Sequence, residues 1–311
     1  MAIISSRNQA RIAGMLVASF VLSSVIGCNT APKPSPPANH NVKHKNTPSA
    51  AALIAMHNKN VAPIKQLWAR SVVEIEYLDE KGKQKHVQGE GHLITKLPHN
   101  TALTIGKIGQ VSLWAGSNTD YYWLFDKINN DVLYLGVRDD SINQKKRLAN
   151  IPANARRLTQ LPLPVKPTQL AHLFGIVKIN TQAIQSAIVT TQNKHHILTL
   201  PKTRIRYTFA PANYLGDNKN YLPVRIELLD EKNQPAILAI LSTPQRMAMD
   251  DILLGPVINT RNEITFPKRK TRLTLHLNGL TGEAAKAKDK LFDLDFLKRI
   301  NKPKQIIYIT P

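Results

Sequence analysis

Apolar residues along this chain recur mostly with a period of two, and helical spacing is confined to short stretches. Val72-Val73-Glu74-Ile75-Glu76-Tyr77 alternates, Asp79–Lys83 is rich in turn formers, and Lys85–Ile94 reads as the return strand. Strand patterns follow at short intervals over Thr101–Ile105, Gln110–Trp114, Tyr121–Phe125 and Val132–Val137. They resume over Ile197–Leu200, Arg204–Phe209, Val224–Leu229, Ala236–Ser242, Glu263–Phe266 and Arg272–Leu277, with Asp230–Asn233 as a hairpin turn. Leu291–Ile309 predicts a last turn and strand. Helical spacing joins Leu53, Met56, Val61, Ile64 and Leu67, which predicts one kinked helix or two short ones, with Asn60 as a cap and Pro63 in a first turn. Thr168–Phe174 predicts another short helix capped by Thr168, and Ile151 or Pro152 a further helix start. Hairpin after hairpin, without strand–helix–strand alternation, predicts an α+β fold built mainly on antiparallel sheet.

The amino end follows neither pattern. Arg7 and Arg11 precede the apolar stretch Ile12–Ile26, which is shorter than the roughly 20 residues of a spanning helix and suits a signal peptide. It ends Val25-Ile26-Gly27-Cys28, which resembles a bacterial lipobox and implies cleavage between Gly27 and Cys28 and lipidation of Cys28. Acyl chains of the palmitate kind, at about 0.8 kcal/mol per buried methylene, would hold the chain to a membrane. Asn29 rather than Asp follows the cysteine, which favours the periplasmic face of the outer membrane. The next residues combine prolines and lysines with almost no large apolar groups and read as a tether. The predicted organisation is a signal peptide over 1–27, a tether over 28–50 and one folded domain over 51–311.

Cys28 is the only cysteine, which excludes disulfide frameworks and cysteine-based metal sites. His195-His196 would point to opposite faces of a strand, and His86 and His92 lack acidic companions, so no metal ligand set is predicted. The acidic pairs Asp139-Asp140 and Asp250-Asp251 sit in turn-like sequence, and there is no P-loop, G-x-S-x-G or H-E-x-x-H. The expectation is a protein that is not an enzyme, takes no cofactor and is a monomer. With 42 Lys and Arg against 21 Asp and Glu, the formal charge is +21. Lys145-Lys146-Arg147, Arg156-Arg157 and Lys268-Arg269-Lys270 are the densest clusters. No stripe of basic and base-stacking residues marks a nucleic-acid binder. An exported chain would instead meet anionic lipid or cell-wall polymer, or carry a solvated basic surface.

The acidic-Gly hairpin of VVEIEYLDEKGKQKHVQGEGHLITKLPHN, the Ser117-Asn118-x-x-Tyr121-x-Trp123 segment, Phe266-Pro267, the LTLHLNGL strand and the closing Leu291-Phe292-Asp293 resemble the LolA/LolB lipoprotein-carrier family over about Leu53 to Asp293. The middle segment Ser141–Pro167 has no counterpart there. The resemblance implies a curved antiparallel half-barrel, covered by a few helices, that holds acyl chains or acylated proteins in an apolar cavity. Leu93, Leu103, Ile105, Leu113, Trp123, Phe125, Leu133 and Leu135 are the candidate cavity residues, although the same alternation fits an ordinary packed core. The aromatic group Trp114, Tyr121, Tyr122 and Trp123 fits cross-strand packing beside the Ser117-Asn118 turn. The expected role is an outer-membrane acceptor or carrier of lipids or lipoproteins. The alternative is an envelope-stress sensor or structural lipoprotein on the same fold.

Overall fold

The computed structural model describes residues 47–78, 82–107, 110–128, 131–139, 141–158, 165–211, 222–250 and 254–310. They lie in one compact unit, His44–Pro311. The signal segment, Gly27, Cys28 and the tether up to residue 46 lie outside the described residues.

Helix α1 (Ala50–Val61) opens the unit, and the Ser49 hydroxyl caps it by accepting from the Ala52 amide at 3.2 Å. A run of antiparallel hairpins follows: β1 (Gln66–Leu78), β2 (Gln84–Lys96), β3 (Asn100–Lys107), β4 (Gln110–Ser117), β5 (Tyr121–Asp126) and β6 (Val132–Val137). The middle segment holds α2 (Gln144–Ala149), the two-residue β7 (Arg157–Leu158) and α3 (Pro167–Leu173). The second run is β8 (Ile188–Gln192), β9 (His195–Leu200), β10 (Ile205–Phe209), β11 (Pro223–Leu229), β12 (Pro235–Arg246), β13 (Val257–Phe266) and β14 (Thr271–Thr281). Helix α4 (Leu294–Asn301) leads into β15 (Gln305–Ile309).

The fifteen strands among the described residues join in one sheet, ordered β7-β15-β6-β5-β4-β3-β2-β1-β14-β13-β12-β11-β10-β9-β8. The two hairpin runs meet where β1 pairs with β14, from Trp68 opposite Thr281 to Glu76 opposite Arg272. The fold is α+β and mainly antiparallel, an open, curled sheet with few helices. Among the named strands of the described residues β15 departs from antiparallel pairing, lying parallel between β6 and β7.

Several local expectations change. Residues 62–67 do not continue the helix: Ala62 and Pro63 form a turn and β1 already starts at Gln66, so Leu67 belongs to a strand. Asn60 does not cap a helix. It sits inside α1, where its side chain accepts from the Val257 amide at 3.0 Å and donates to the Val257 carbonyl at 2.8 Å. Thr168 is not the cap of α3 either. Pro167 takes the first helical position, where its missing N–H costs nothing, and the Gln169 side chain accepts from the Lys166 amide at 3.0 Å. No helix opens at Ile151 or Pro152; the helix of that region, α2, ends at Ala149, and Ile151 is buried in a bend.

The face of the sheet that carries α1 and α3 is called inner here. There Leu53, Ile54 and Val61 of α1 and Leu170, Leu173 and Phe174 at α3 are buried against strands of both runs, from Leu93 and Leu103 to Leu198, Phe209 and Leu275. On the outer face of β4–β6, α4 covers a second cluster with Leu294 and Leu297 set on Trp114, Trp123, Phe125, Leu133 and Leu135. Trp123 is fully buried, and its ring lies on Gly116 so closely that a Cβ there would stand 2.7 Å from the indole. Truncation of Trp123 to Ala removes the centre of that cluster. The expected cost is about 3–5 kcal/mol, read as a lower urea midpoint with little change in slope.

Candidate functional site

Strand register decides which predicted cavity residues share a surface. Leu93 pairs with Leu103, and Ile105 with Leu113, so these four project to the inner face. Across β5 and β6, Trp123 pairs with Leu135 and Phe125 with Leu133, on the outer face beneath α4. One cavity wall made of all eight residues is therefore not what the fold builds. The sequence hid this because β5 and β6 are buried on both faces, so both parities are apolar there. Beneath α4 the space left between Trp123, Phe125, Leu133 and Leu297 is about 10 Å³, room for one water at most. Of the aromatic group, Trp114 and Trp123 lie in the outer cluster, while the Tyr122 side chain packs on the other side of β5 with Ala115 and Leu124.

On the inner face α1 and α3 fill the hollow. Their hold is partly polar. Asn58 of α1 clamps the segment after α3, accepting from the Ile179 amide at 2.8 Å and donating to its carbonyl at 2.8 Å. His57, buried on α1, donates through Nε2 to the Val177 carbonyl at 2.9 Å and packs against Tyr207 and Phe209. Its Nδ1 has no hydrogen-bond partner, which only a neutral ring tolerates. Burial accordingly pushes the His57 pKa down to about 4, the bond to Val177 opposing it. His172 on α3 is lowered too, by burial and then by the Arg138 charge.

Other candidate chemistry is dispersed. His195 Nδ1 lies 3.0 Å from the Asn193 carbonyl and His196 Nδ1 lies 3.2 Å from Thr191 Oγ1, so each ring has a local partner. His86 is exposed, and His92 lies against the Trp68 ring at 5.2 Å, its pKa lowered by burial and then by Arg70. Among the described residues no group of three or more His, Cys, Asp or Glu comes together that would hold a metal. No helix among them is long and apolar enough to cross a membrane.

Open volume lies on the outer face. One groove of about 590 Å³ runs over β14, β1, β2, β3 and β4 beside Arg70, Glu90 and His92. Another, of about 860 Å³, crosses β8–β12 beside Arg206, Arg225 and Glu227. Sequence reading missed this second site. Its one signal is the alternation Arg225-Ile226-Glu227, which sends both charges to the face opposite Ile226.

No protein-family model matches this chain, and no curated protein matches it. Solved structures do. The chain is similar to a DUF1329 family protein from Desulfovibrio piger, with a TM-score of 0.48, 12% identity, and coverage of 79% of this chain and 97% of that one. It is similar to a LolA superfamily protein from Nitrosomonas europaea, with a TM-score of 0.45, 11% identity, and coverage of 80% and 99%. It is also similar to a domain assigned to outer membrane lipoprotein sorting from Vibrio parahaemolyticus, with a TM-score of 0.43, 10% identity, and coverage of 80% and 97%. The matched structures thus include the group that the sequence resembles.

The imidazole of α1 gives a directional pH test. Because the His57 pKa is lower in the folded chain than its ordinary 6.5, the unfolded chain takes up the proton first as pH falls. Its contribution to stability is full above pH 6.5 and is lost between 6.5 and about 4. Urea midpoints measured across that window should fall more steeply for the wild type than for His57→Gln.

Proposed function

We propose that this protein is a lipid-anchored envelope lipoprotein whose inner face receives an acyl chain or an acylated protein when α1 yields its place. Cys28 would tie it to the periplasmic face of the outer membrane, so it acts as an acceptor or carrier at that membrane, without catalysis. The observation that carries this reading is the inner face itself: a continuous apolar surface on a curled open sheet, closed by two short helices rather than by more sheet.

The energies decide whether such an exchange is feasible. Lifting Leu53, Ile54 and Val61 off the sheet exposes three aliphatic side chains at about 1.5–3 kcal/mol each. The four hydrogen bonds of Asn58 and Asn60 and the one of His57 add about 0.5–1.5 kcal/mol each. The total is roughly 7–17 kcal/mol. A saturated chain of about fourteen methylenes returns about 11 kcal/mol at 0.8 per methylene. Gain and cost are of the same size, which suits reversible loading. Helix α1 also directly follows the predicted tether in sequence.

The test is uptake of a fluorescent acyl probe by the mature protein in detergent, with native mass spectrometry for lipid carried through purification. Leu53→Ala with Ile54→Ala loosens α1, and the expected result is lower stability together with several-fold greater uptake. No uptake by either form would remove the carrier reading. It would favour the interaction-module reading, which the filled inner face supports.

A further inference from the structure

The outer face of β8–β12 carries a second, chemically different site. Two cross-strand rows build it. In one, Thr199 of β9, Arg206 of β10 and Glu227 of β11 stand side by side. In the next, Ile197, Thr208, Arg225 and Ile240 cross β9 to β12. At the usual strand spacing the four strands give a width of about 14 Å. The open volume above them, about 860 Å³, is within the roughly 300–1,000 Å³ of small-molecule sites.

The floor of this groove is preorganised. Glu227 is a buried carboxylate, its side chain 4% exposed, and it holds two guanidiniums: Arg206 Nη1 at 3.1 Å and Arg225 Nη2 at 2.7 Å. One carboxylate cannot neutralise two arginines, so the trio keeps one positive charge. Each arginine engages Glu227 through one nitrogen and is itself partly exposed, which leaves further N–H groups of a planar fork for an incoming anion. Fixing both forks on Glu227 removes rotamer freedom before any ligand arrives, which lowers the cost of binding.

We propose that this groove binds an anionic saccharide, with Arg206 and Arg225 taking the carboxylate or phosphate and the flanking hydroxyls and amides taking the ring hydroxyls. Thr190, Thr199 and Thr208 with Gln192 and Asn193 supply that second set, and Ile197 and Ile240 offer aliphatic contact to the C–H face of a ring. An acyl chain is a poor fit, because it would bury charged groups without replacing their hydrogen bonds. The hydroxyls and amides that surround the arginines suit the ring hydroxyls of a saccharide better than a lipid head group, and a bilayer surface is the competing outcome of the test. The chain's excess of Lys and Arg over Asp and Glu adds long-range attraction for such a polyanion. This inference does not depend on what the inner face holds.

Titration calorimetry of the mature protein in detergent with oligogalacturonate, a phosphorylated oligosaccharide, a neutral oligosaccharide and phosphatidylglycerol in mixed micelles tests it. The expected result is saturable binding of an anionic oligosaccharide and at least tenfold weaker binding of the neutral one. Whichever anionic probe binds tighter identifies the acid as uronate or phosphate. R206Q/R225Q should weaken binding at least tenfold, whereas K145Q/K146Q, which removes the same charge from exposed positions on α2, should change it less than twofold. E227Q should strengthen binding a few-fold, because the charge of the trio rises from one to two and this outweighs the lost anchoring of the forks. If R206Q/R225Q fails to fold because Glu227 is left buried alone, R206Q/R225Q/E227Q carries the comparison with the same expected loss. Equal losses in the groove and α2 variants overturn the proposal. So does binding of the phosphatidylglycerol, lost in R206Q/R225Q, with no binding of either anionic oligosaccharide.

Discussion

The burial of α1 and α3 against the inner face is the constraint on which the rest of the fold depends. A fifteen-stranded antiparallel sheet cannot stay flat, because each strand pair adds right-handed twist. Nor does this one close into a barrel, for its ends are β7 and β8 and they do not pair. Something must occupy the hollow, since an apolar surface of that extent left wet would be a liability for aggregation. Leu53, Ile54, Leu170, Leu173 and Phe174 occupy it and touch both hairpin runs, so the two halves share one core although only β1 and β14 pair across the junction.

How the plug is fastened matters as much as what it buries. Asn58 and Asn60 are each bonded twice to main-chain groups far along the sequence, at Ile179 and Val257. Such bonds specify register and orientation, while their net worth is small because water would replace them. Apolar contacts supply the affinity of the helix for the sheet and the asparagines supply its pose. A plug held this way leaves at a definite cost and returns to a definite place. That is also why the buried His57 must stay neutral: a charged imidazole would be stranded among Tyr207, Phe209 and the aliphatic core.

Much of this was legible in the sequence and some was not, for physical reasons. The strands from Val72 to Val137 stand out because short alternating or wholly apolar runs are separated by short polar turns. Strand β8 escaped because Ile188–Gln192 is an edge strand of mostly exposed or half-exposed residues, with no buried side to betray a period. The start of β1 was misplaced because Leu67 satisfies the helical spacing from Ile64 and the strand spacing toward Ala69 equally well. The candidate cavity residues were recognisable as buried but not as belonging to two different surfaces. That information lives in the pairing register, which depends on partners distant in sequence.

Register also explains how one sheet supports two unlike chemistries. Along β10, Tyr207 and Phe209 face the plug while Arg206 and Thr208 face the groove. Along β11, Ile226 is buried inward between Arg225 and Glu227, which point outward. The inner surface is apolar and filled, so access to it costs the displacement of packed side chains and is insensitive to salt. The outer surface is polar, charged and already open, so binding there needs no rearrangement and weakens as ionic strength screens its single excess charge. Occupancy of the two faces is therefore governed by different variables. Coupling between them would have to pass through the backbone of β10 and β11, the strands that present residues to both.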